Sequence, residues 1–326
     1  MKRKASALIK AVITVLLFYL LFRKADWRAF YATLAGARIG VLLSSFAVLW
    51  VGHYICIFRW RMLMRPLMPV FSLVRLFEIY CIGLFFNLTF PTAVGGDLVK
   101  MYYAGKPTRQ YAQSFAATFL DRDSGMFAMM ILACLGSLLL PMSLPGIPVS
   151  LIVWVSFAAF VALNVMIFTP VLHRILTGML RKMRLTGIAT RVDAISDAFV
   201  IMGTHPQILF QSLLISLANQ LLVFTVTWVT AIALRINVSF LYFLVFVPVI
   251  TLISMIPISL NGTGLREYAF RGLFSAIGVA PASALALGFL SSILLLLSAV
   301  PGGIVYLFFR NRDDLRQMAA LETEFS

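Results

Sequence analysis

An all-helical polytopic membrane protein is the fold class this sequence predicts, with about six full spans and two broken or re-entrant helix pairs in an inverted repeat. Three observations predict it. Hydrophobic residues make up 61% of the 326 and charged residues 12%, against roughly 45–50% and about 25% in soluble domains. The apolar residues come in runs, most near the ~20 residues that span hydrocarbon as helix; alternating ten-residue strands are absent, so helices satisfy the backbone. Finally, one pattern of Pro, Gly, base and Tyr occurs twice, about half a chain apart.

The first run, Ser6–Phe22, follows Met1-Lys-Arg-Lys and reads as an uncut anchor, because it ends in Arg23, Lys24 and Asp26 rather than at a small-residue cleavage site. Val41–Phe58 is the next span, and Phe77–Phe90 leads into the first Pro–Gly motif. Tyr111–Leu140 and Val149–Leu172 flank the charge-free Pro141–Pro148 turn. From His173 to Phe199, apolar residues alternate with bases at roughly helical spacing, as in a helix lying on the cytoplasmic surface or a solvated linker. The chain therefore reads as one integral membrane domain, 1–326, with halves 1–172 and 207–310 joined by a basic cytoplasmic segment, 173–206. Ile208–Leu234, Phe240–Ile256 and Ala282–Phe309 complete the runs.

Orientation follows from the bases, 27 Lys and Arg against 12 acids. Short basic loops stay cytoplasmic, which places the N-terminus, Arg59–Arg75, Lys106–Arg109, His173–Arg191 and the Arg310–Arg316 tail inside. Pro141–Pro148 and the connection near Arg235 face outward. Arg23, Lys24, Arg28 and Arg38 conflict with this scheme, because an inside N-terminus puts them outside. The formal charge of +15 is not a nucleic-acid signal: the bases cluster at helix ends, where anionic headgroups lie, and no nucleic-acid motif accompanies them.

At an offset of 166 residues Pro257 falls on Pro91, Gly262 on Gly96, Arg266 on Lys100 and Tyr268 on Tyr102. The first motif sits between two basic segments, as a hairpin dipping in from the cytoplasm would; the second starts and returns outside. Two such repeats of opposite orientation are the plan of many transporters. Pro91, Gly95, Gly96, Pro257, Gly262 and Gly264 are expected to break the helices, with new half-helices starting within Leu98–Tyr103 and Leu265–Arg271. Their free N–H groups and dipoles favour anions. Lys100 and Arg266 beside those ends point to an anionic substrate, or to internal pairing of Lys100 with Asp97 at i,i+3 and of Glu267 with Arg266 or a base elsewhere.

Asp121, Arg122 and Asp123 lie about twelve residues beyond Arg109, roughly 18 Å along a helix, and so near the midplane, where each charge facing lipid costs about 2.5–3.5 kcal/mol. A pathway or an ion pair should therefore receive them. Glu78 has Arg75 at i−3 for a partner. Arg59-Trp60-Arg61 reads as an interfacial anchor or as a headgroup contact. Cys56, Cys81 and Cys134 are widely spaced core residues without a disulfide or metal pattern. His53, His173 and His205 form no metalloprotease motif, and nucleophile elbow, phosphate loop and dinucleotide fingerprint are absent. No catalytic residue, metal or cofactor is therefore expected, and the protein reads as a non-enzyme; a transferase built on Asp97, Asp121, Asp123 and Glu267 is the alternative chemistry.

The stretches RWRML (Arg59–Leu63), NLTFPTAVGGDLVKMY (Asn87–Tyr102), DRDSG (Asp121–Gly125) and PISLNGTGLREY (Pro257–Tyr268) resemble, in order, motifs of the flippase-like integral-membrane family formed by the transmembrane region of lysylphosphatidylglycerol synthases. In fused members that region moves aminoacylated phosphatidylglycerol between leaflets, while a soluble domain makes it. Only a short charged tail follows Phe309, so synthase activity is not expected here. Asn261 departs from the glycine common at its place. The resemblance implies a flippase or transporter of an anionic, aminoacylated or other phosphate-bearing lipid in the bacterial inner membrane. Lys100, Arg122 and Arg266 would contact headgroups, and Asp97, Asp121 and Glu267 would neutralise those bases or carry a coupling proton. The alternative is a membrane subunit or enzyme of lipid or envelope-glycan biosynthesis. Membrane lipids are the expected partners, and a separate lipid-modifying enzyme and a homo-oligomer are compatible with the sequence.

Overall fold

The computed structural model describes residues 13, 14, 19, 23, 26–90, 94–140, 148–256, 258, 259 and 262–324, with side chains through residue 309 except 89 and 170–172. The described residues are helical and contain no strand. A short helix, α1 (Trp27–Ala35), precedes the long α2 (Ile39–Met64). A first hairpin, α3 (Leu73–Thr89) and α4 (Gly95–Gly105), leads to α5 (Tyr111–Leu139) and α6 (Val149–Phe168). Two amphipathic helices follow, α7 (Pro170–Lys182) and α8 (Thr186–Gly203). The sequence then repeats the order: long α9 (Pro206–Ala233), a second hairpin of α10 (Phe240–Met255) and α11 (Leu265–Ala276), and long α12 (Pro281–Glu324).

Five of these, α2, α5, α6, α9 and Pro281–Phe309 of α12, are long and apolar enough to cross a membrane. The predicted first span, Ser6–Phe22, lies largely outside the described residues. The hairpin helices are shorter: 17 and 11 residues in the first, 16 and 12 in the second. At 1.5 Å per residue they reach about 16–26 Å, less than the ~30 Å hydrocarbon core. Side chains such as Leu139, Val155, Phe210, Leu307 and Phe308 remain exposed, the surface of a protein solvated by lipid tails. The protein is a multi-pass α-helical membrane protein.

The repeat is visible in three dimensions. Followed from Arg38 to Arg59, the α2 side of the interface meets α9 in reverse, from Ala233 through Val226 and Asn219 to Ser216. The two equivalent helices therefore run antiparallel, about an axis near His53 and Asn219, which are 166 residues apart. Gly136 and Gly302 stand at the same offset. A Cβ at Gly136 would meet Leu244 and Val245 of α10; at Gly302 it would lie 1.9 Å from the Cys81 carbonyl oxygen of α3. Each half thus presents a glycine to the other half's hairpin, where the small residue lets backbones approach in lipid. A twofold that reverses membrane-crossing helices lies in the membrane plane, so the repeat is inverted.

The ends of the molecule differ in charge. Arg75 and Tyr103, at the base of the first hairpin, both contact Phe309, and Ala198 and Met202 of α8 join the same core cluster. The basic segments Arg59–Arg75, Lys106–Arg109, His173–Arg191 and Arg310–Arg316 thus share one end. At the other end Phe30, Ile236, Phe243 and Phe274 share a second cluster. That charge-poor end also holds α1, so Arg28 and Arg38 lie opposite the main basic band. The excess of bases on one side is the pattern that the positive-inside rule associates with the cytoplasmic face. There α7 pairs with α8 through Asp193, which contacts His173 at 3.1 Å and Arg181 at 2.8 Å.

Candidate functional site

The first hairpin closes tightly because its residues are small. Gly83 and Gly96 pack backbone to backbone, and a Cβ on Gly96 would lie 2.0 Å from the Gly83 oxygen. The Asn87 side-chain oxygen accepts the Gly96 N–H at 2.7 Å, satisfying one of the free donors at the start of α4. Gly95 and Gly96 belong to that helix's first turn; the interruption is the preceding Phe90–Val94 stretch, and Pro91 lies outside the described residues. The expected start within Leu98–Tyr103 is thereby moved to Gly95.

This register aims Lys100 inward. Its ammonium lies 3.6 Å from both Asp97 and Asp121 and 4.8 and 5.0 Å from the Trp60 and Tyr80 ring centroids, where ring faces attract a cation. Asp121 also accepts from Arg59 Nε at 2.8 Å, and Arg59 Nη1 donates to Ser216 at 2.6 Å. Asp97 pairs with Arg122. Three cations thus alternate with two carboxylates, leaving the five side chains with one net positive charge. Side-chain exposure rises from 7% at Lys100 and Asp121 to 17% at Asp97 and 31% at Arg122. The open end of the cluster is therefore Arg122, in a crevice between α4 and α5 beside the exposed Leu98.

The second hairpin differs. Gly262 and Gly264 have φ of +75° and +85°, a left-handed conformation that L side chains rarely adopt, and a Cβ at Gly262 would lie 2.5 Å from the Ser254 oxygen. Gly264 caps α11, and Glu267 supplies the capping carboxylate: Oε2 accepts the Gly264 N–H and Oε1 accepts the Ser292 hydroxyl, each at 2.6 Å. Glu267 is thereby held at the helix cap and by Ser292, and it acts on Arg266 as a neighbouring charge without a direct salt bridge. Arg266 forms no ion pair among the described residues and its buried Nε has no hydrogen-bond partner; its guanidinium lies 5.9 Å from the Phe270 ring. The side chain lines a cavity of about 240 Å³ with Thr263, Glu267, Ser292 and the apolar Phe289, Leu295, Leu296 and Leu88. Leu88 belongs to the first hairpin, so the two hairpin ends converge here. The cavity borders Leu295, midway between Pro281 and Phe309, and Leu88, Leu295 and Leu296 are exposed to lipid.

Sequence spacing paired Lys100 with Asp97, and the structure joins Asp121, Arg122 and Arg59 to them. Arg59 was expected to be an interfacial anchor, but α2 continues to Met64 and buries it. Arg75 and Glu78 pair at 3.4 Å as expected. Asn87 and Ser292 are polar contacts that spacing did not reveal. Pro257 and Asn261 lie outside the described residues. The three cysteines are free, and no cluster of metal ligands occurs among the described residues.

Opposed broken-helix hairpins, an inverted repeat and intramembrane charges define the class of multi-pass membrane protein to which the chain belongs. The profile of the family described as the lysylphosphatidylglycerol synthase TM region matches residues 7–303, and the chain belongs to that family. Its membership ties it to lipid biosynthesis or transport. No curated protein and no solved structure matches the chain.

Proposed function

We propose that the protein is a lipid flippase or transporter of the bacterial inner membrane, which carries an anionic, aminoacylated or other phosphate-bearing lipid between leaflets without altering it chemically. One observation carries this reading: Arg266, which makes no direct salt bridge among the described residues and whose buried Nε has no hydrogen-bond partner, lines a mid-membrane cavity with an exposed apolar rim. A phosphate group entering between the hairpin ends would supply a direct counter-charge, while its acyl chains stayed outside against Leu88, Leu295 and Leu296. The cluster around Lys100 and Arg122 is the corresponding element of the other half. Its cations are held by Asp97 and Asp121, a resting arrangement that a headgroup at Arg122 would compete with. A separate enzyme would make the lipid where it is a modified one, and self-association is compatible with the exposed apolar surface.

The test places purified protein in liposomes with headgroup-labelled anionic and zwitterionic lipids and follows loss of outer-leaflet label to a membrane-impermeant quencher. Headgroup-selective movement, reduced at least tenfold by Arg266→Gln, is expected. Unchanged movement in that variant sinks the assigned role of Arg266. Absence of movement with every lipid, from folded protein, transfers the reading to a subunit of lipid or glycan biosynthesis.

A further inference from the structure

Asp123 is an intramembrane carboxylate that neither hairpin uses. Elsewhere in the membrane region Glu78 is held by Arg75, Asp97 by Lys100 and Arg122, Asp121 by Arg59 and Lys100, and Glu267 by the Gly264 N–H and Ser292. Among the described residues Asp123 has no ion pair; its polar partner is the Asn164 side chain, which hydrogen-bonds it. It lines a cavity of about 260 Å³ where α5 meets α6, α8 and α9, together with Ser124, Ser212, Phe127, Phe168 and Phe199. This site is separate from the Arg266 cavity, which lies between the hairpin ends.

The lining selects a ligand class. A carboxylate set among phenylalanines, with no cation to compensate it, is costly, and a cationic occupant removes that cost. The oxygen donors are one carboxylate and two hydroxyls, fewer than the six or more that a hard divalent ion takes. Aromatic faces instead attract diffuse organic cations. Ser212 Oγ donates to Ser124 Oγ at 3.1 Å, which spends its proton and leaves its lone pairs to accept from an N–H. The space equals roughly eight liquid-water volumes, enough for an ammonium with a few attached carbons. We infer that this cavity binds a small organic ammonium group, with Asp123 as counter-ion, Ser212 as acceptor, and Phe127, Phe168 and Phe199 as walls. The site also adjoins the first cluster. Ser216 accepts from Arg59 and donates to the Ser212 carbonyl at 2.6 Å, with its oxygen 3.2 Å from Ser124 Oγ, so the hydroxyls at this cavity lie against the Arg59–Asp121 pair.

The ammonium is carried either by a free amine or by an amine-bearing headgroup, and binding can be measured without transport. Purified protein in detergent is titrated with n-butylammonium chloride against equal sodium chloride, with thermal unfolding as the readout. A saturable rise in Tm is expected in the wild type. The apparent Kd should rise at least tenfold in Asp123→Asn and about threefold in Phe199→Leu, while Asp123→Glu keeps binding. The two last variants keep the test decisive where Asp123→Asn does not fold. Retention of an ethanolamine-headgroup lipid over a glycerol-headgroup lipid of the same chains, by native mass spectrometry, separates the sources: retention that depends on Asp123 assigns the lipid, and saturation by butylammonium without it assigns a free amine. Neither response, or equal binding by folded Asp123→Asn, overturns the inference. Arg266→Gln is expected to retain butylammonium binding, so failure of the transport reading and failure of this one are distinguishable.

Discussion

Replacing Asp121 by asparagine should destabilise the protein far more than replacing Lys100 by methionine, although both changes remove one buried charge from one cluster. The five side chains carry three cations and two carboxylates. Asp121→Asn leaves three cations and one carboxylate. At an effective dielectric of about 20, its contacts at 2.8 and 3.6 Å correspond to gross attractions of roughly 6 and 5 kcal/mol. Most of this is offset by desolvation already incurred, and breaking a buried pair from one side costs about 3–5 kcal/mol net. Lys100→Met instead leaves Arg59 with Asp121 and Arg122 with Asp97, two cations and two carboxylates. Methionine also fills the space against Trp60 and Tyr80. Its expected cost is within about 1 kcal/mol, in line with apolar replacement of buried charges elsewhere. Both variants are compared by reversible unfolding in mixed micelles, titrating sodium dodecyl sulfate and following helical circular dichroism. Equal destabilisation, or a larger loss for Lys100→Met, would refute the charge count as the organising principle of the cluster.

Gly302→Ala should cost about 2 kcal/mol or more, because its Cβ would strike the Cys81 backbone and helices cannot part freely there; Gly178→Ala, with open space around it, should be neutral or stabilising by up to about 1 kcal/mol. The same unfolding titration compares them. In a background with Cys56, Cys81 and Cys134 replaced by alanine, Gly52→Cys with Asn219→Cys should oxidise to an intrachain disulfide, and Gly52→Cys with Ser212→Cys should not. Gel mobility before and after reduction reads this, and the reverse pattern would contradict the antiparallel α2–α9 contact. In that background Arg109→Cys and Asn237→Cys should react with an impermeant maleimide from opposite faces; labelling from one face breaks the orientation argument.

The five described spans and the repeat were legible because both depend on local sequence: apolar length, and a recurring Pro–Gly–base–Tyr spacing. Even the pairing of Asp97 with Lys100 follows from a three-residue spacing on one helix. Arg59 was misread because its partner is 62 residues away and its neighbours Trp60 and Arg61 imitate an interfacial anchor. Nothing local distinguishes a snorkelling arginine from one that α2 carries past the interface. The capping role of Glu267 was missed for a different reason. Glycine followed three residues later by glutamate is the spacing of a helix cap, and that signal was available, but the adjacent arginine offered a more obvious partner. Asn87 and Ser292 act across a hairpin and between helices, where only the packed structure sets the distance.

Helix α6 fully buries only Val149 and Val153, with Phe157, Phe160, Asn164 and Phe168 partly packed against the bundle, yet the architecture depends on it. Helices α2 and α5 cross in opposite directions and each hairpin returns to its own side, so one repeat brings the chain back to the face on which it began. Without another crossing, the second copy would enter in the same direction as the first, and α2 and α9 would lie parallel. The single pass of α6 reverses the parity. The length of that helix and the bases that follow it, which hold its end at the basic face, therefore matter alongside its few inward side chains, and its deletion would bring α2 and α9 into the same direction.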